Sequence, residues 1–238
     1  HCYRCGTPLF YSALPAWFIN IQSVKADLIK NNEDINWHPS HLKHGRFGKS
    51  VATAPDWNIS RNRYWATALP FWKCEHSECG HVVCLGSINE LRSKSLNFDE
   101  VYPNAVASST NQVSSNTPEL DTSYMLPDTI DLHRPYIDRV KLKCEKCNGQ
   151  MSRVPEVVDC WVESASMPFA ELHYPFEHNA ELRGATAIAD GRGKDPEDFK
   201  NRFPADFVAE YIAQTRAWFY VMHVVSSTIF QQAPFKHV

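Results

Sequence analysis

The sequence predicts an α/β fold in which a cysteine-rich, metal-binding segment interrupts a parallel sheet. A strand–helix–strand pattern near the end of the chain indicates the parallel sheet, and closely spaced cysteine pairs indicate the inserted segment. The 238 residues, 43% of them hydrophobic, are enough for one or two domains with a buried core. Collagen, coiled coil and wholesale disorder are excluded, because only 9 residues are Gly, only 21% are charged and 12% are aromatic.

Charge and hydropathy exclude further classes of protein. The formal net charge of −3 argues against a dedicated non-specific binder of nucleic acid, so any such contact must come from a local patch. The longest apolar stretch, residues 217–230, is shorter than the roughly 18 residues of a membrane span and predicts a buried helix. The first residues lack the Met, basic region and apolar core of a signal peptide. We therefore expect a cytoplasmic protein without membrane contact. We also expect this chain to be a segment of a longer protein, truncated at both ends.

Local patterns predict the elements of the first 63 residues. Residues 8–11 and 16–19 are apolar and predict a strand, and residues 24–31 predict a helix. Residues 36–63 are locally basic, which is typical of a solvated face or of a surface that meets phosphates. The cationic residues of this stretch are Lys43, Arg46, Lys49, Arg61 and Arg63, against the single acid Asp56.

Strands and loops alternate in the middle of the chain. Residues 82–85, 140–142 and 154–162 predict strands, because they are apolar and flank the cysteine pairs. Residues 103–123, rich in Ser, Thr and Asn, cannot bury enough apolar surface to order themselves and predict a mobile loop. Residues 185–201, rich in Gly and charges, predict a second loop.

The clearest periodic pattern lies near the end of the chain. Residues 203–208 predict a short strand, and the apolar residues that follow recur near the 3.6-residue period of a helix. A proline and a new apolar start come next, which makes a βαβ pattern and implies a parallel sheet. Glu210, Gln214 and Trp218 are expected on one face of that helix, starting at its N-terminus. That face either is solvated with Trp218 packed in the core, which spacing alone favours, or binds an anionic ligand.

Four cysteines predict a closed structural zinc site. Two short turns joined by a long connection can bring four thiolates to tetrahedral positions around one ion. The alternative is a set of reduced, unliganded cysteines at hairpin turns, and His76 and His81 are close enough in sequence to compete as ligands. The predicted ligands are Cys74, Cys79, Cys144 and Cys147.

A further pair, Cys2-x-x-Cys5, has the spacing of half a second metal site. The remaining cysteines, Cys84 and Cys160, are single residues in strand-like runs and are expected to be small buried thiols. Either this pair binds no metal, or its partners lie in sequence beyond this chain. Because the chain starts beside Cys2, we expect the second of these.

The sequence does not support two common catalytic motifs. The segment Gly45-Arg46-Phe47-Gly48-Lys49-Ser50 has two residues between its glycines, whereas a phosphate-binding loop needs four. No Ser lies in a Gly-x-Ser-x-Gly turn, and no cysteine has an evident His partner, so nucleophilic catalysis is not indicated. An unrelated zinc hydrolase is disfavoured as well, because four thiolates leave no open position on the metal.

A series of longer motifs, in order along nearly the whole chain, resembles the isoleucyl-tRNA synthetases, which are class I aminoacyl-tRNA synthetases. The stretch Asn-Ile-Ser-Arg-Asn-Arg-Tyr-Trp at residues 58–65 separates the resemblance from the valyl relatives, which differ there. The other motifs are Asn36-Trp37-His38-Pro39, Asp131-Leu132-His133-Arg134-Pro135, Asp159-Cys160-Trp161-Val162-Glu163-Ser164, His173-Tyr174-Pro175-Phe176-Glu177, Phe203-Pro204-Ala205-Asp206-Phe207 and Gln214-Thr215-Arg216-Ala217-Trp218-Phe219-Tyr220.

The resemblance implies an architecture. The chain would be the second part of a Rossmann-like parallel-sheet catalytic core, following the editing domain, with an inserted zinc-ribbon-like connective segment. Residues 1–73 would belong to the core, residues 74–153 to the zinc-binding segment with its loop 103–123, and residues 154–238 to the core again, with an insertion at 185–201.

The resemblance also implies an activity. The family activates isoleucine with ATP and Mg²⁺ and transfers it to tRNA(Ile), and the full-length enzyme would be a monomer. Trp65 and Trp218 would line the pocket for the isoleucine side chain, Gln214 would hold the polar head of the amino acid, and Glu210 would lie near the adenylate. Two indoles form a rigid apolar slot, and a neutral amide can hydrogen-bond either charged end of an amino acid.

The chain departs from the family pattern in two respects. Ala66, Tyr211, Ala213 and Ala217 replace the usual Gly, Gly, Asp and Gly, which puts ribose binding through this element in doubt. The His-Ile-Gly-His and Lys-Met-Ser-Lys-Ser elements are not among these residues, so we expect the isolated chain to be inactive. The alternative hypothesis is a non-catalytic zinc-ribbon module, derived from a synthetase, that binds RNA or protein.

Overall fold

The computed structural model describes residues 1–103, 130–172, 174 and 196–238. Nearly all of the predicted loop 103–123 lies outside these residues, and so do residues 185–195 of the second predicted loop. The described end of that second loop is helical, since helix α6 spans Pro196–Arg202. The loop prediction for residues 196–201 was therefore wrong.

The first part of the chain contains a short strand pair and a helix. Strand β1 (Phe18–Ile19) pairs antiparallel with β2 (Trp57–Asn58), and helix α1 spans Ile21–Asn32. The helix prediction is confirmed, with an earlier start because the Asn20 side chain accepts a hydrogen bond from the amide of Ser23 and caps the N-terminus. The strand prediction for residues 8–11 was wrong, because these residues are exposed and lie outside the strands that the structure assigns.

Residues 45–50, whose glycine spacing argues against a phosphate-binding loop, are helical. A π-helical turn spans Lys43–Phe47 and runs into helix α2 (Gly48–Thr53). A Cβ on Gly48 would lie 2.6 Å from the carbonyl oxygen of Lys43, so this close approach of two backbone segments requires glycine. The glycines therefore serve local packing, in agreement with the exclusion of a phosphate loop.

Four antiparallel strands form the largest sheet, in the order β5-β4-β7-β6. The strands are β4 (Phe71–Cys74), β5 (Val82–Cys84), β6 (Lys141–Lys143) and β7 (Gln150–Arg153). Helices α3 (Ile88–Lys94) and α4 (Phe98–Val101) and a 3-10 turn (Ile137–Arg139) accompany the sheet. The predicted strands 82–85 and 140–142 are thereby confirmed.

Residues 154–162 form a strand followed by a helix, and not one strand. Strand β3 (Ser60–Arg61) pairs antiparallel with β8 (Val157–Val158), and helix α5 (Cys160–Ala170) begins two residues later. The change occurs at Asp159, whose side chain accepts a hydrogen bond from the amide of Trp161 and caps the helix.

The two single cysteines were expected to be buried, and this prediction was wrong. Cys84 lies in β5 and Cys160 is the first residue of α5, and both are exposed. The runs around them are apolar in sequence, but each cysteine lies on the solvent side of its element.

The end of the chain forms the predicted parallel βαβ unit. Strands β9 (Ala205–Phe207) and β10 (Phe235–His237) pair in parallel, and helix α7 (Trp218–Phe230) connects them. Asn36 bridges to His237 in parallel as well, so three chain segments run side by side in one direction. The helix begins at Trp218 and not near Glu210, because a 3-10 turn (Ile212–Arg216) precedes it and Ala217, at φ −135° and ψ −108°, breaks the helical path.

The buried side chains form separate apolar clusters. One cluster joins α1 and α2 to α7 and β10, and a smaller one packs α5 against α7. A third belongs to the four-stranded sheet and its helices. No helix in the described part of the chain is long and apolar enough to cross a membrane. The central side chains of the sheet cluster are Trp72, Leu91, Phe98, Tyr102, Val140, Leu142 and Met151.

Candidate functional site

The four cysteines predicted as metal ligands come together. Their Sγ atoms all lie within 4.8 Å of one another. The Sγ atoms of Cys74 and Cys147 are 3.4 Å apart, and those of Cys79 and Cys144 are 3.7 Å apart. Among the described residues this is the one cluster of metal-binding side chains, so neither His76 nor His81 belongs to such a group.

Two hairpin turns place these four sulfurs. Cys74 ends β4 and Cys79 lies in the turn to β5, whereas Cys144 follows β6 and Cys147 lies in the turn to β7. Because β4 pairs with β7, both turns lie at the same end of the sheet. The residue after the second cysteine of each pair is in the left-handed region, Gly80 at φ 56° and Asn148 at φ 59°, as such tight turns require.

Backbone amides point at the cysteine sulfurs. The amide of His76 donates to the Cys74 sulfur, and burial raises the pKa of the Cys74 thiol to about 12. Burial also opposes ionisation of Cys144, but the amides of Cys147 and Lys146, together with the thiols of Cys147 and Cys79, lower the Cys144 pKa to about 7. Amide donors stabilise a thiolate more than a thiol, and the thiolate is the form that ligates metals.

The four sulfurs of the cluster could hold a zinc ion. A tetrahedral ion with Zn–S bonds of about 2.3 Å places its sulfurs about 3.8 Å apart. The two measured separations of 3.4 and 3.7 Å are close to that value. Four thiol ligands close the coordination sphere, so such a metal would support the structure and would not activate water.

Cys2 and Cys5 form a turn that matches the turn after β6. In both turns the amide of the first cysteine donates to the carbonyl five residues later, at 2.8 Å, and the amide four residues later donates back, at 2.9 Å. The residue after the second cysteine is again left-handed, Gly6 at φ 69° against Asn148 at φ 59°. The first pair therefore has the backbone of half a metal site, and its sulfurs lie outside the four-cysteine cluster.

Gln214 and Trp218 are hydrogen-bonded to each other. The Gln214 Oε1 atom accepts the amide hydrogen of Trp218 at 3.0 Å, at the first residue of α7. The Trp218 indole Nε1 donates to the carbonyl of Ser164 in α5 at 3.0 Å. The Trp218 ring is therefore fixed from two sides, and the Nε2 group of Gln214 makes no hydrogen bond within the described residues.

The Trp65 ring packs against His133, which is not among the ring contacts of Trp218 in the described part of the chain. Its ring is 68% exposed and stacks on His133, with centroids 4.4 Å apart and planes at 6°. Two residues further on, the Thr67 hydroxyl donates to the Glu163 carboxylate in α5, next to Ser164. Both tryptophan segments are thus tied to α5, but the ring contacts of the described residues do not join Trp65 to Trp218.

Glu210 lines a cavity of about 240 Å³ at the carboxyl ends of the three parallel segments. His38 contributes from one segment, and its amide donates to the carbonyl of Val238 at 2.7 Å. Thr215, buried in the wall, accepts a hydrogen bond from Arg46 Nε at 3.0 Å. Glu210 precedes α7 by eight positions, so the expected common helix face of Glu210, Gln214 and Trp218 is wrong, although Gln214 and Trp218 do meet.

The sequence reasoning missed Asp159. This carboxylate is only 3% exposed and accepts hydrogen bonds from Arg61 Nη2 at 2.5 Å and from Trp57 Nε1 at 3.3 Å. An Asp directly before a helix is a recognisable capping signal, but its partners, about a hundred positions earlier, leave no local trace.

Comparison with known proteins shows the family to which the chain belongs. The family model of class I tRNA synthetases (I, L, M and V) matches residues 9–192 and 184–238. The isoleucine–tRNA ligase of Clostridium acetobutylicum is 42% identical over 237 residues, which is 100% of this chain and 18% of that protein. Those of Clostridium kluyveri and Bacillus thuringiensis are 43% and 42% identical over 99% and 100% of the chain, or 18% and 19% of their own lengths.

The chain therefore spans less than a fifth of the length of these relatives. The matches confirm the resemblance that the motifs predicted, and their coverage runs through both the cysteine-containing sheet and the parallel unit. The chain belongs to the class I tRNA synthetases of the I, L, M and V group.

Proposed function

We propose that the chain forms part of the aminoacylation site of an isoleucine–tRNA ligase, which activates isoleucine with ATP and transfers it to tRNA(Ile). The observation that carries the proposal is the hydrogen-bonded pair Gln214 and Trp218, anchored on Ser164. It occurs in a chain that is 42% identical to a relative named isoleucine–tRNA ligase.

The amino acid would bind against the two tryptophans. Trp218 is held rigidly by α5 and offers an indole face to an aliphatic side chain. Trp65 is exposed, and its segment is hydrogen-bonded to α5 through Thr67 and Glu163. Its ring is therefore available as the second wall of the amino-acid pocket. Gln214 keeps its Nε2 group for the polar head. Such a slot separates isoleucine from valine by about 1–3 kcal/mol for one methylene.

The nucleotide would bind near Glu210. The cavity beside Glu210 lies at the carboxyl ends of parallel segments, where α/β sheets bind their ligands. Phe207 and Phe219 give it an apolar wall, which suits a base, and His38 and Thr215 supply polar groups. Mg²⁺ would enter with ATP as part of the substrate and would offset the charge of its phosphates.

The four-cysteine cluster would hold a structural Zn²⁺ ion, ligated by Cys74, Cys79, Cys144 and Cys147. Bound zinc supplies a cross-link between the two hairpins and no open position for catalysis. Cys2 and Cys5 would ligate a second ion together with a further pair beyond this chain. The match between their turn and the turn at Cys144 supports this assignment.

The architecture would be a Rossmann-like core with a zinc-ribbon-like insertion. The parallel β9–α7–β10 unit supports the first part, and the two cysteine-bearing hairpins support the second. Residues 1–73 and 154–238 would form the core, and residues 74–153 the insertion. The full-length protein would act in the cytoplasm as a monomer, with tRNA(Ile), isoleucine and ATP as partners.

The proposed activity is tested with the complete protein that carries this segment. We expect isoleucine-dependent exchange of pyrophosphate into ATP, and charging of tRNA(Ile). Trp218→Ala should lower kcat/KM for isoleucine about tenfold or more, because a large apolar contact is lost. Tyr136→Ala, at an exposed ring in the cysteine-containing segment, is the matched control.

A complete protein that binds RNA but shows no amino-acid-dependent exchange would contradict the proposal and favour a non-catalytic binding module. A polypeptide of these 238 residues alone should show no exchange, since the His-Ile-Gly-His and Lys-Met-Ser-Lys-Ser elements are not in it. Clear exchange by that polypeptide would contradict the assignment of triphosphate chemistry to those elements.

A further inference from the structure

Asp159 uses its two carboxylate oxygens for two different parts of the fold. Its Oδ1 atom accepts the amide hydrogen of Trp161 at 3.2 Å and so caps α5. Its Oδ2 atom accepts hydrogen bonds from Arg61 Nη2 at 2.5 Å and from Trp57 Nε1 at 3.3 Å. Because Trp57 lies in β2 and Arg61 in β3, the carboxylate joins the start of α5 to both of these strands.

The carboxylate is buried, and its charge is compensated by one cation. The Asp159 side chain is 4% exposed, and Arg61 is its only ion-pair partner within the described residues. A buried carboxylate is stable only when it is paired and hydrogen-bonded. Both oxygens already accept hydrogen bonds from the protein, so this carboxylate is not suited to contact a substrate.

Arg61 is oriented by its own strand. Its Nη1 group donates to the carbonyls of Asn58 at 2.9 Å and of Ser60 at 2.8 Å, whereas Nη2 donates to Asp159. The backbones on either side are also joined, since the amide of Asp159 donates to the Ile59 carbonyl at 2.8 Å. A guanidinium held in this way loses little conformational freedom when it pairs with the carboxylate.

The part of α5 that Asp159 fixes also carries the anchor of Trp218. Ser164, five positions after Asp159, accepts the hydrogen bond from Trp218 Nε1 at 3.0 Å. Trp57, whose indole donates to Asp159, packs in the same apolar cluster as Trp218. A shift of the start of α5 would therefore move the Trp218 indole and the packing around it.

We propose that Asp159 is a positioning residue for the isoleucine pocket, an inference that rests on the proposed function. It holds the start of α5 against Arg61 and Trp57, and that part of the helix in turn holds the Trp218 indole. Its loss should loosen one wall of the pocket and weaken recognition of an aliphatic side chain. The proposed nucleotide cavity should be unaffected, because these residues do not line it.

The test uses the complete protein and measures isoleucine-dependent exchange of pyrophosphate into ATP. Asp159→Asn replaces one acceptor oxygen by a donor, so either the cap of α5 or the contact with Arg61 is lost. We expect the KM for isoleucine to rise about tenfold, because small displacements of a positioned group are costly. The preference for isoleucine over valine should fall. The KM for ATP should change less than about twofold, since its site keeps its contacts.

Variants of Arg61 separate positioning from stability. Arg61→Met leaves the buried carboxylate without its cation and should raise the KM for isoleucine, whereas Arg61→Lys keeps a cation and should restore most of the affinity. The effects of Arg61→Met and Asp159→Asn on this KM should not add in the double variant, because both act through one contact. The control is Glu90→Gln in α3, which should leave both KM values unchanged. Glu90 likewise accepts a backbone amide, from Gly86, and pairs with a cation, Lys94.

Three kinetic outcomes would overturn the inference. One is a wild-type KM for isoleucine in Asp159→Asn. Another is a lower kcat with both KM values unchanged, or with both raised equally, which a general loss of folded enzyme would produce. In the third, Asp159→Asn abolishes isoleucine binding while Arg61→Met behaves as wild type, which would show direct contact between Asp159 and the amino acid.

A second measurement does not depend on activity. A wild-type protein without isoleucine-dependent pyrophosphate exchange would refute the proposed function, but amide hydrogen exchange would still test the positioning. In Asp159→Asn, amide hydrogen exchange should accelerate at the start of α5 and also at the start of α7, where Trp218 lies. Acceleration in α5 alone would show that Asp159 only caps its own helix and does not position Trp218.

Discussion

Gln214 has two roles at the residue scale. Its carbonyl oxygen accepts the amide of Trp218, where helix α7 begins and where a helix otherwise leaves amides without partners. Its amide nitrogen makes no hydrogen bond within the described residues and would be available to the proposed substrate. One side chain therefore couples the start of the helix to the proposed binding of the amino acid.

Replacing Gln214 separates these roles. Gln214→Leu should lower the free energy of unfolding by about 1 kcal/mol, because the Trp218 amide loses its acceptor, and should raise the KM for isoleucine. Gln214→Glu keeps an acceptor and adds a negative charge at a helix N-terminus, so it should retain stability. Urea denaturation of both variants checks this. Equal destabilisation by the two would contradict the capping role.

His223 makes stability depend on pH. It is fully buried in α7, its Nε2 donates to the Leu28 carbonyl at 2.8 Å, and its Nδ1 has no hydrogen-bond partner in the described part of the chain. Burial lowers its pKa from 6.5 to about 4. The unfolded chain therefore binds a proton that the folded chain refuses, so this contribution to stability is complete above pH 6.5 and is lost as the pH falls toward 4.

The pH effect has a defined size. At about 1.4 kcal/mol per pH unit, the folded state should lose about 3 kcal/mol through His223 between pH 6.5 and pH 4. His223→Gln cannot titrate, so the difference in unfolding free energy between wild type and variant should shrink over this range. Urea melts at several pH values measure it. A constant difference would show that His223 does not titrate as stated.

The residues of the site differ in how far sequence could predict them. The four cysteines could be predicted, because ligand spacing within a hairpin turn is a local property. Gln214 and Trp218 were paired by their spacing, and Trp218 does lie in the predicted helix, but Gln214 lies in the 3-10 turn before it, since the break at Ala217 has no signal in its side chain. The stacking of Trp65 on His133 joins distant segments and depends on the whole fold.

At the scale of elements, the cysteine turns leave little space around the proposed metal ligands. A Cβ on Gly149 would lie 3.2 Å from the Cys147 sulfur, which is closer than most real contacts. The turn can relieve this only by moving a ligand.

Gly149→Ala should therefore weaken zinc binding about tenfold, as loss of ligand support commonly does. Gly86→Ala is the control, because its Cβ would meet the Glu90 carboxylate at an ordinary 4.0 Å. Competition with a colorimetric zinc chelator gives both affinities. If the two variants hold zinc equally well, the crowding at Cys147 is without consequence.

The boundaries of elements were harder to predict than their existence. The parallel unit was predicted from the 3.6-residue spacing of apolar residues in its helix, and it is observed. Such a spacing indicates a helix because it places the apolar side chains on one buried face. The end of β8 was missed, because Asp159 starts a helix through a capping bond that competes with an apolar run of strand-like residues. A capping hydrogen bond sets this kind of boundary, and the pattern of apolar residues gives no sign of it.

At the scale of the whole molecule, the sheet that carries the four cysteines has its own apolar cluster, separate from the clusters around α7. Two groups of elements can therefore respond independently to a local loss of stability. The resemblance predicted that a cysteine-containing segment is inserted into a core. It did not predict that the two parts have separate apolar clusters, which only the packing of the side chains shows.

Removal of the proposed zinc ion should open one group only. After chelation, amide hydrogen exchange should accelerate in β4, β6 and β7, because the metal would tie their turns together, and should stay slow in α7. Exchange measured by mass spectrometry on the zinc-bound and chelated protein resolves the two regions. Uniform acceleration would show that the cores unfold as one unit.

The two halves of the cysteine cluster come from positions far apart in the chain, Cys74 with Cys79 and Cys144 with Cys147. A metal there would act as a clasp on the long stretch between them, so its ends would stay together whatever its length. Loop-closure entropy changes slowly with length, about 0.6 kcal/mol for each doubling. Because β5, α3 and α4 and buried side chains of the sheet cluster lie within this stretch, insertions within those elements should be tolerated less well than insertions outside them.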